Sequence, residues 1–487
     1  MGKPHSPKSL HIALFPFMSK GHTIPLLHLT KLIHNHRPHA TFTVFTTPAN
    51  EPFISSSLST LSPNTVTIIS LPFSALNNDG IIPPGIESTD QLPSMSLFHS
   101  FAFSTKNLQP HFETALENIK KGNNPITFLI SDAFLYWTQE SASKFNLLRL
   151  VFYGMSSYVH AICGAVFGNK LFSGVEDGDL TIQVPDFPWI SVKKHDFDSF
   201  FHLNDPQDPR VDFLIKVQTA TSMSFGTVVN SFVELEQPFV HYVNSNLLRK
   251  SWCVGPLCLA QNPTLESPEK PPYWIEWLDK NMANQDQKNP ILYIAFGSQA
   301  EISSEQLKEI MTGLEDSKAG FLWALRIKPS QQKVVEGFEE KVKERGLVVK
   351  EWVGQREILE HESVQGFLSH CGWNSTIETI CAGVPILAWP MMADQHLNSK
   401  MVAEEIGVGL RVEIVDGFVK WDGLSKMVKV LMEGEMGKVV RKKVKELSEV
   451  AKKSVEEGGS SWSNVETLLN ETLEMGKTKI IDIKEEN

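Results

Sequence analysis

The sequence lacks long apolar runs and contains few cysteines. A helix that spans a bilayer needs about 18 consecutive apolar residues, and no stretch of this chain approaches that length. The N-terminal stretch LHIALFPFM is short and has no small-residue cleavage site, so we interpret it as a strand and not as a signal peptide. The five cysteines form no CxxC pair, and an odd number is typical of reduced, buried thiols. We therefore expect a cytoplasmic protein without a membrane span.

Two common nucleotide-binding motifs and an excess of basic residues are also missing. The chain has MSKGH at residues 18–22, where a dinucleotide-dependent oxidoreductase would have Gly-x-Gly-x-x-Gly, and it has no Walker P-loop. Its formal charge of -11 argues against binding nucleic acid through a general electrostatic field. An anionic ligand would need local hydrogen-bond donors instead.

The composition is that of a globular chain, with 41% hydrophobic and 21% charged residues. Its 487 residues suit two large domains, each with its own core. Strand-like apolar runs alternate with helical stretches in both halves, which favours parallel sheets covered by helices. We therefore predict an α/β protein with a first domain at 1–252, a linker at 253–290, a second domain at 291–460, a C-terminal helix at 461–475 and a mobile tail at 476–487.

The stretch from Trp352 to Gln395 has the most specific pattern. It is predicted to contain a short buried strand at 366–369, a turn through Gly372 and the start of a helix. A helix start offers unpaired N–H groups and the positive end of the helix dipole, which makes it a natural seat for phosphate. It can equally be a plain capping arrangement without a ligand, with Asn374 or Ser375 as N-cap and Glu378 following.

The same stretch resembles the C-terminal signature box of the plant secondary-product glycosyltransferases, which transfer sugar from a UDP-sugar to small molecules. One departure is visible, because Gly354 stands where the family usually has proline, which should loosen the turn before Gln355. The resemblance implies the GT-B fold, in which two Rossmann-like doubly wound domains with parallel sheets face each other and the final helix returns to the first domain. The matching residues are Trp352, Gln355, Leu359, His361, Phe367, His370, Cys371, Gly372, Trp373, Asn374, Ser375, Glu378, Gly383, Val384, Pro385, Pro390, Asp394 and Gln395.

The resemblance also implies how a UDP-sugar is bound. Trp352 is expected to stack on the uracil, Gln355 to lie near the ribose and Glu378 to accept from the ribose hydroxyls, and Val353 contributes to the donor site. A glutamine at the end of the box goes with glucose more often than galactose in this family, so UDP-glucose is the expected donor. The expected diphosphate contacts are Ser298, His370, Gly372, Asn374 and Ser375, and the expected sugar contacts are Trp373, Asp394 and Gln395.

Two earlier segments carry the expected catalytic groups. FPFMSKGHTIP places His22 after a strand and beside a helix start, and LISDAF places Asp132 after another strand. Open α/β sheets bind ligands at that edge. From the residues alone, a lone histidine is more often a surface or core residue, and Asp132 is equally an N-cap for a helix beginning near Tyr136. In the resembled family the matching histidine is the general base and the aspartate orients it, which implies an inverting transfer that yields a β-glycoside.

The acceptor pocket is expected in the loops of the first domain. Its candidate walls suit a flat aromatic acceptor such as a flavonoid or another phenolic, although each is also explained by core packing, and terpenoid or hormone acceptors stay open. A non-catalytic sugar-nucleotide-binding protein of the same fold is the alternative function. We expect a monomer. The candidate walls are Phe17, Phe134, Tyr136, Met155, Trp189, Phe200 and Phe201.

Metal dependence can also be weighed from the sequence. Glycosyltransferases of the other main fold hold a divalent cation with an Asp-x-Asp motif, and residues 177–179 and 196–198 both fit that pattern. Both matches lie in long polar loops, which favours solvated turns over metal sites. We therefore predict activity without metal or any other cofactor.

Overall fold

The computed structural model describes residues 10–74, 82–198, 207–247, 250–260, 270–283, 290–327 and 331–485, with the backbone alone for 476–485. Contacts divide the chain into two compact units. The first unit consists of Met1–Gly164, His202–Asn262 and Ser454–Asn487, and the second consists of Ala165–Phe201 and Pro263–Lys453.

Both units contain parallel strands joined by helices, which confirms the predicted α/β class. No helix within the described ranges is both long and apolar enough to cross a membrane. The strands are β1 (His11–Phe15), β2 (Thr41–Thr46), β3 (Val66–Ser70), β4 (Phe128–Asp132), β5 (Leu148–Tyr153), β6 (Ile182–Val184), β7 (Phe187–Val192), β8 (Gly226–Val229), β9 (Ser251–Cys253), β10 (Ile291–Ala295), β11 (Gly320–Ala324), β12 (Gly346–Val349), β13 (Val364–Ser369), β14 (Ile386–Ala388) and β15 (Gly409–Arg411). The α-helices are α1 (Lys20–His36), α2 (Glu51–Ser57), α3 (Phe98–Ser104), α4 (Gln109–Lys121), α5 (Thr138–Lys144), α6 (Ser157–Gly168), α7 (Pro209–Met223), α8 (Val233–Tyr242), α9 (Tyr273–Ala283), α10 (Ser304–Ser317), α11 (Gln332–Val342), α12 (Gln355–Leu359), α13 (Trp373–Ala382), α14 (Gln395–Lys400), α15 (Trp421–Met432), α16 (Glu435–Val455) and α17 (Ser460–Glu485).

Among its described residues, the first unit has a seven-stranded parallel sheet with the order β3-β2-β1-β4-β5-β8-β9. Side chains alternate between the two faces of a strand, and β1 contributes side chains to an apolar cluster on each face of the sheet. Ile12 and Leu14 enter one apolar cluster, whereas Ala13 and Phe15 enter the other. Strand β1 pairs with β4 in parallel, so the loops that follow these two strands leave the same edge of the sheet.

Helix α17 packs within the first unit. Its residues Val465, Leu468 and Leu469 are fully buried in the same apolar cluster as Ile12 and Leu14 of β1. These contacts bring the end of the chain onto the sheet formed by its beginning. The helix continues to Glu485, so most of the predicted tail at 476–487 is helical.

A partly exposed ion pair attaches α17 to the end of α1. Arg37 donates to both carboxylate oxygens of Glu466, at 2.8 and 2.7 Å, and His36 Nδ1 lies 2.8 Å from Glu466 Oε1. The hydrogen bonds from Arg37 lower the pKa of Glu466 from its usual 4.5 to about 2. The carboxylate is therefore charged over the whole neutral range.

We expect Glu466→Gln to lower the free energy of unfolding by about 1 kcal/mol at neutral pH, the upper end for a partly exposed ion pair. Because the folded pKa lies below the unfolded one, this contribution is complete above pH 4.5 and is lost as the pH falls towards about 2. The difference in Tm between parent and variant, measured by calorimetry, should shrink from about pH 7 to about pH 3. Glu457→Gln, in the exposed turn before α17, is the control and should leave Tm unchanged. A Tm difference that does not vary with pH would contradict this account.

The second unit has, among its described residues, a six-stranded parallel sheet with the order β12-β11-β10-β13-β14-β15. Its central strand β10 is buried on both faces: Leu292 and Ile294 enter one apolar cluster, and Ile291 and Tyr293 enter the other. The loops after β10, β12, β13 and β14 therefore leave one common edge, which is where open sheets of this kind bind ligands.

Residues 165–201 differ from the predicted domain boundary, because the structure groups them with the second unit although they precede residue 252. They include the antiparallel hairpin of β6 and β7. Three contacts explain the grouping: Trp189 Nε1 donates to Glu405 at 3.1 Å, Asp198 accepts from the N–H of Ala393 at 2.6 Å, and Asp196 lies 3.8 Å from Lys400 Nζ. Alternation of strands and helices along the chain does not reveal such contacts.

Candidate active site

The first unit carries a histidine and an aspartate at the carboxyl edge of its sheet. His22 lies in the first turn of α1, which follows β1, and Asp132 is the last residue of β4. Because these strands are parallel neighbours, the side chains meet, and His22 Nδ1 lies 2.7 Å from Asp132 Oδ2. The carboxylate is enclosed, whereas the imidazole side chain is 22% exposed.

The carboxylate holds the imidazole in one orientation. Asp132 Oδ1 accepts from the backbone N–H of Phe134 at 2.9 Å, and α5 begins only at Thr138. The alternative interpretation of Asp132 as an N-cap is therefore wrong. A proton on His22 Nδ1 that donates to the carboxylate makes Nε2 the nitrogen that can take a proton from a substrate.

Arg149 is a residue of this site that the sequence analysis missed. It is buried on β5, and its guanidinium donates to Ser131 Oγ at 2.7 Å, to the carbonyl of Asp132 at 3.3 Å and to Ser224 Oγ at 2.9 Å. Burial lowers its pKa to about 10, so the side chain remains a cation at neutral pH. A single charged residue within the apolar strand LLRLVFY was the available signal, because buried charges require specific partners.

Aromatic rings surround His22. The ring centroids of Phe134 and Phe17 lie 4.9 and 5.5 Å from the imidazole, and Phe98 packs edge-on against both rings. Phe17 is fully buried, whereas Phe98 and Phe134 are half-buried. Phe98 was not among the predicted pocket residues, although the phenylalanine-rich segment 98–103 was a visible signal.

The other predicted pocket residues have different surroundings. Tyr136 is buried, which raises the pKa of its hydroxyl to about 12, and it packs edge-on against Phe213. Half-buried Met155 packs against the apolar cluster that contains Tyr136 and Phe213. Trp189 is 59% exposed and belongs to the second unit. Phe200 and Phe201 lie outside the described residues.

In the second unit, strand β13, a turn and helix α13 occupy the predicted positions. The N-cap of α13 is Gly372, and no side chain caps the helix start. The capping interpretation is therefore wrong, and α13 begins in the loop that follows β13, at the carboxyl edge of the sheet. Buried Trp373 occupies the first helical position, with half-buried Asn374 beside it.

Gln355 joins two other predicted donor contacts. Its Nε2 donates to Ser375 Oγ at 2.9 Å and to Glu378 Oε2 at 2.7 Å. Burial raises the pKa of Glu378. Gly354, which precedes Gln355, has φ of -73°. A proline could adopt that angle, so the turn has a backbone that the family's usual proline would also allow.

His370 lies between two glycines. A Cβ added to Gly297 would lie 2.7 Å from His370 Nε2, and one added to Gly372 would lie 2.5 Å from the same atom. Gly297 also has φ of +76°. Burial lowers the pKa of His370 to about 4, so the ring is neutral at pH 7. The carbonyl of Ser298, in the same loop, accepts a hydrogen bond from Arg326 Nη1.

The remaining predicted donor residues lie in the loops after β12 and β14. Trp352 is 61% exposed, as a stacking surface requires, and Val353 beside it is buried. Gln395 Oε1 accepts from the N–H groups of Met391 and Met392, at 3.0 and 3.1 Å. Asp394 Oδ2 accepts from the side chain of Asn398 at 2.9 Å.

The aspartates of the two Asp-x-Asp patterns have hydrogen-bonding roles. Asp177 accepts from the N–H of Asp179 in a turn at 2.9 Å. Asp196 accepts from the N–H of Lys193 at 2.9 Å, and Asp198 holds the loop at Ala393. Across the described ranges, no group of three or more His, Cys, Asp or Glu residues could hold a metal ion.

The two parallel-sheet units and the residues at their edges define a GT-B glycosyltransferase, and solved structures agree. A Glycyrrhiza uralensis UGT73P12 complexed with glycyrrhetinic acid 3-O-monoglucuronide has a TM-score of 0.85 and 25% identity, over 98% of both chains. Phytolacca americana UGT2, complexed with UDP-2fluoro-glucose and pterostilbene, has a TM-score of 0.78 and 26% identity, over 95% of this chain and 100% of that one. These likenesses confirm the predicted fold.

The chain belongs to the UDP-glucoronosyl and UDP-glucosyl transferase family, whose model matches residues 210–455. UDP-glycosyltransferase 90A1 of Arabidopsis thaliana is 51% identical over 95% of this chain and 96% of its own. The scopoletin glucosyltransferase of Nicotiana tabacum is 33% identical over 95% and 98% of the two chains. The resemblance to the plant glycosyltransferases is thereby confirmed.

Proposed function

We propose that this protein moves glucose from UDP-glucose to a hydroxyl group of a phenolic plant metabolite and yields a β-glucoside. The observation that carries the proposal is the 2.7 Å contact between His22 Nδ1 and Asp132 Oδ2. A carboxylate in this position turns an imidazole into an oriented general base. A protein that only bound sugar nucleotides would have no use for the pair.

In the proposed reaction, His22 Nε2 takes the proton of the acceptor hydroxyl. At the same time the hydroxyl oxygen attacks the anomeric carbon of the α-linked UDP-sugar from the face opposite the UDP. The bond between that carbon and the diphosphate oxygen breaks, and the electron pair leaves with UDP. The configuration inverts without a covalent sugar on the enzyme. Asp132 stabilises the imidazolium until its proton passes to solvent.

The loops of the second unit would supply the donor contacts. The start of α13 and neutral His370 would donate to the diphosphate as its charge grows. Exposed Trp352 would stack on the uracil, a contact of about 1 to 3 kcal/mol in comparable base–aromatic pairs. The UDP-2fluoro-glucose held by the Phytolacca enzyme supports glucose as the transferred sugar. The other proposed contacts are Ser298, Val353, Gln355, Gly372, Asn374, Ser375 and Glu378 to the nucleotide, and Trp373, Asp394 and Gln395 to the hexose.

A phenolic acceptor fits the half-buried rings of Phe98 and Phe134 beside His22, because aromatic pairs favour edge-on and offset contacts. The names of two relatives support this class, since one is a scopoletin glucosyltransferase and another binds pterostilbene. The Glycyrrhiza relative instead binds a glycyrrhetinic acid glucuronide. Terpenoids therefore belong in the acceptor screen.

We also propose that the enzyme acts in the cytoplasm. All five cysteines lie within the described residues, and each is a thiol outside any disulfide. Thiols of this kind suit a reducing compartment.

The proposed function predicts that the purified chain releases UDP from UDP-glucose when a phenolic acceptor is present. Mass spectrometry should detect a hexose increment on the acceptor, and NMR should show a β linkage. Because the proposed donor contacts include no metal, excess EDTA should leave the rate unchanged. Terpenoid acceptors run in parallel test the acceptor class. UDP binding without turnover on any acceptor would favour the sugar-nucleotide-binding alternative, and loss of turnover in EDTA that magnesium or manganese restores would contradict the metal-free mechanism.

A further inference from the structure

Asn398 lies three residues beyond the signature box and connects two parts of the proposed donor site. It is on helix α14, whose N-cap is Asp394, and it is fully buried. Its Nδ2 donates to the carbonyl of Cys371 at 3.1 Å and to Asp394 Oδ2 at 2.9 Å. One amide nitrogen thus joins the turn that begins α13 to the acid that begins α14.

The carbonyl that Asn398 binds belongs to a residue with an unusual backbone. Cys371 has φ of +62°, a region that residues other than glycine rarely adopt and that neighbouring contacts must maintain. Its N–H donates to Ser369 Oγ at 3.1 Å, and its carbonyl accepts from Asn398. Ser369 therefore holds the peptide before Cys371, and Asn398 holds the peptide that leads from Cys371 into Gly372, the N-cap of α13.

The chemistry of this position suits asparagine. Both hydrogens of one amide nitrogen are used, one on a backbone carbonyl and one on a carboxylate. Aspartate has nearly the same shape but no donor, and it would set a second carboxylate against Asp394. Serine offers one donor on a shorter side chain, so neither replacement can join both groups.

We propose that Asn398 is a positioning residue that sets the hexose-binding acid relative to the diphosphate-binding turn. The proposal rests on the proposed function, since it takes Asp394 as a hexose contact and the start of α13 as the diphosphate seat. UDP would use the turn alone, whereas UDP-glucose would use the turn and the acid together. Loss of Asn398 should therefore weaken UDP-glucose binding more than UDP binding.

The test measures the Kd of UDP and of UDP-glucose by calorimetry on the full chain. Asn398→Ser should raise the Kd of UDP-glucose by about 10-fold or more and that of UDP by less than about 3-fold, as expected when a hydrogen bond to a charged group is lost. Asn281→Ser is the matched control, because its amide donates within α9 to the carbonyl of Trp277. It should alter neither Kd.

A double-mutant cycle with Asp394→Ala distinguishes two roles of Asn398: placing the Asp394 carboxylate, and supporting the structure of the second unit in general. In the Asp394→Ala chain, adding Asn398→Ser should affect both ligands equally. Equal losses for the two ligands when Asp394 is present would overturn the proposal. Asn398→Asp, with nearly the same volume, serves if the serine variant does not fold, and it should show the same selectivity. If Asp394→Ala alone leaves the UDP-glucose Kd unchanged, the proposed hexose contact fails, and this inference fails with it.

Discussion

His22→Ala is expected to lower kcat by about 100- to 10,000-fold, the usual contribution of a positioned general base. The loss follows from the site geometry, since His22 is the ring oriented by Asp132 at 2.7 Å. The KM for UDP-glucose should change little, because the proposed donor contacts come from the second unit. Initial rates of UDP release at saturating donor and acceptor measure both quantities.

Two further variants test whether the loss of kcat is specific to the pair of His22 and Asp132. Asp132→Asn keeps the shape of the side chain but removes the charge that stabilises the imidazolium, so kcat should again fall by about 100-fold or more. His39→Ala, an exposed histidine of the same unit, should retain the parental rate. Equal kcat in the parent and His22→Ala would remove His22 from its proposed role.

Alanine at position 297 or 372 is expected to weaken UDP and UDP-glucose binding by about 10-fold or more, because the new Cβ would displace His370 from the diphosphate seat. The Cβ would lie 2.7 or 2.5 Å from His370 Nε2, closer than carbon and nitrogen can approach. Gly372 has φ of -57° and ψ of 141°, which alanine tolerates, so its variant isolates the displaced ring. Gly297 has φ of +76°, so its variant should also lower Tm.

Gly337→Ala is the matched control for this pair. Position 337 lies inside helix α11, and an added Cβ would meet nothing within 4 Å. Alanine there should leave ligand binding unchanged and stabilise the chain by about 0.5 to 1 kcal/mol. Calorimetric Kd values for UDP, with Tm measured in parallel, distinguish the three variants. Parental UDP affinity in Gly372→Ala would show that His370 is not a diphosphate contact.

Local patterns predicted the strand, turn and helix around Gly372 because each depends on neighbouring residues. The same reasoning left Asp132 open between an N-cap and a partner for His22, since both roles need only a carboxylate after a strand. Asn398 escaped prediction because the carbonyl of Cys371 that it binds lies 27 positions earlier and meets it only in the folded chain. Arg149 was visible as a lone charge in an apolar strand, but its partners were not.

The sequence by itself determined the α/β class, the family and the residue types of the donor loops, because strand-helix alternation and motif spacing are properties of short segments. Only the tertiary structure decided which of those residues meet. His22 and Asp132 are 110 positions apart, and they touch because β1 and β4 pair in parallel and end at one edge. The grouping of residues 165–201 with the second unit follows from long-range contacts. Strand order and packing arise from the free energy of the whole chain, and the spacing within a short segment does not encode them.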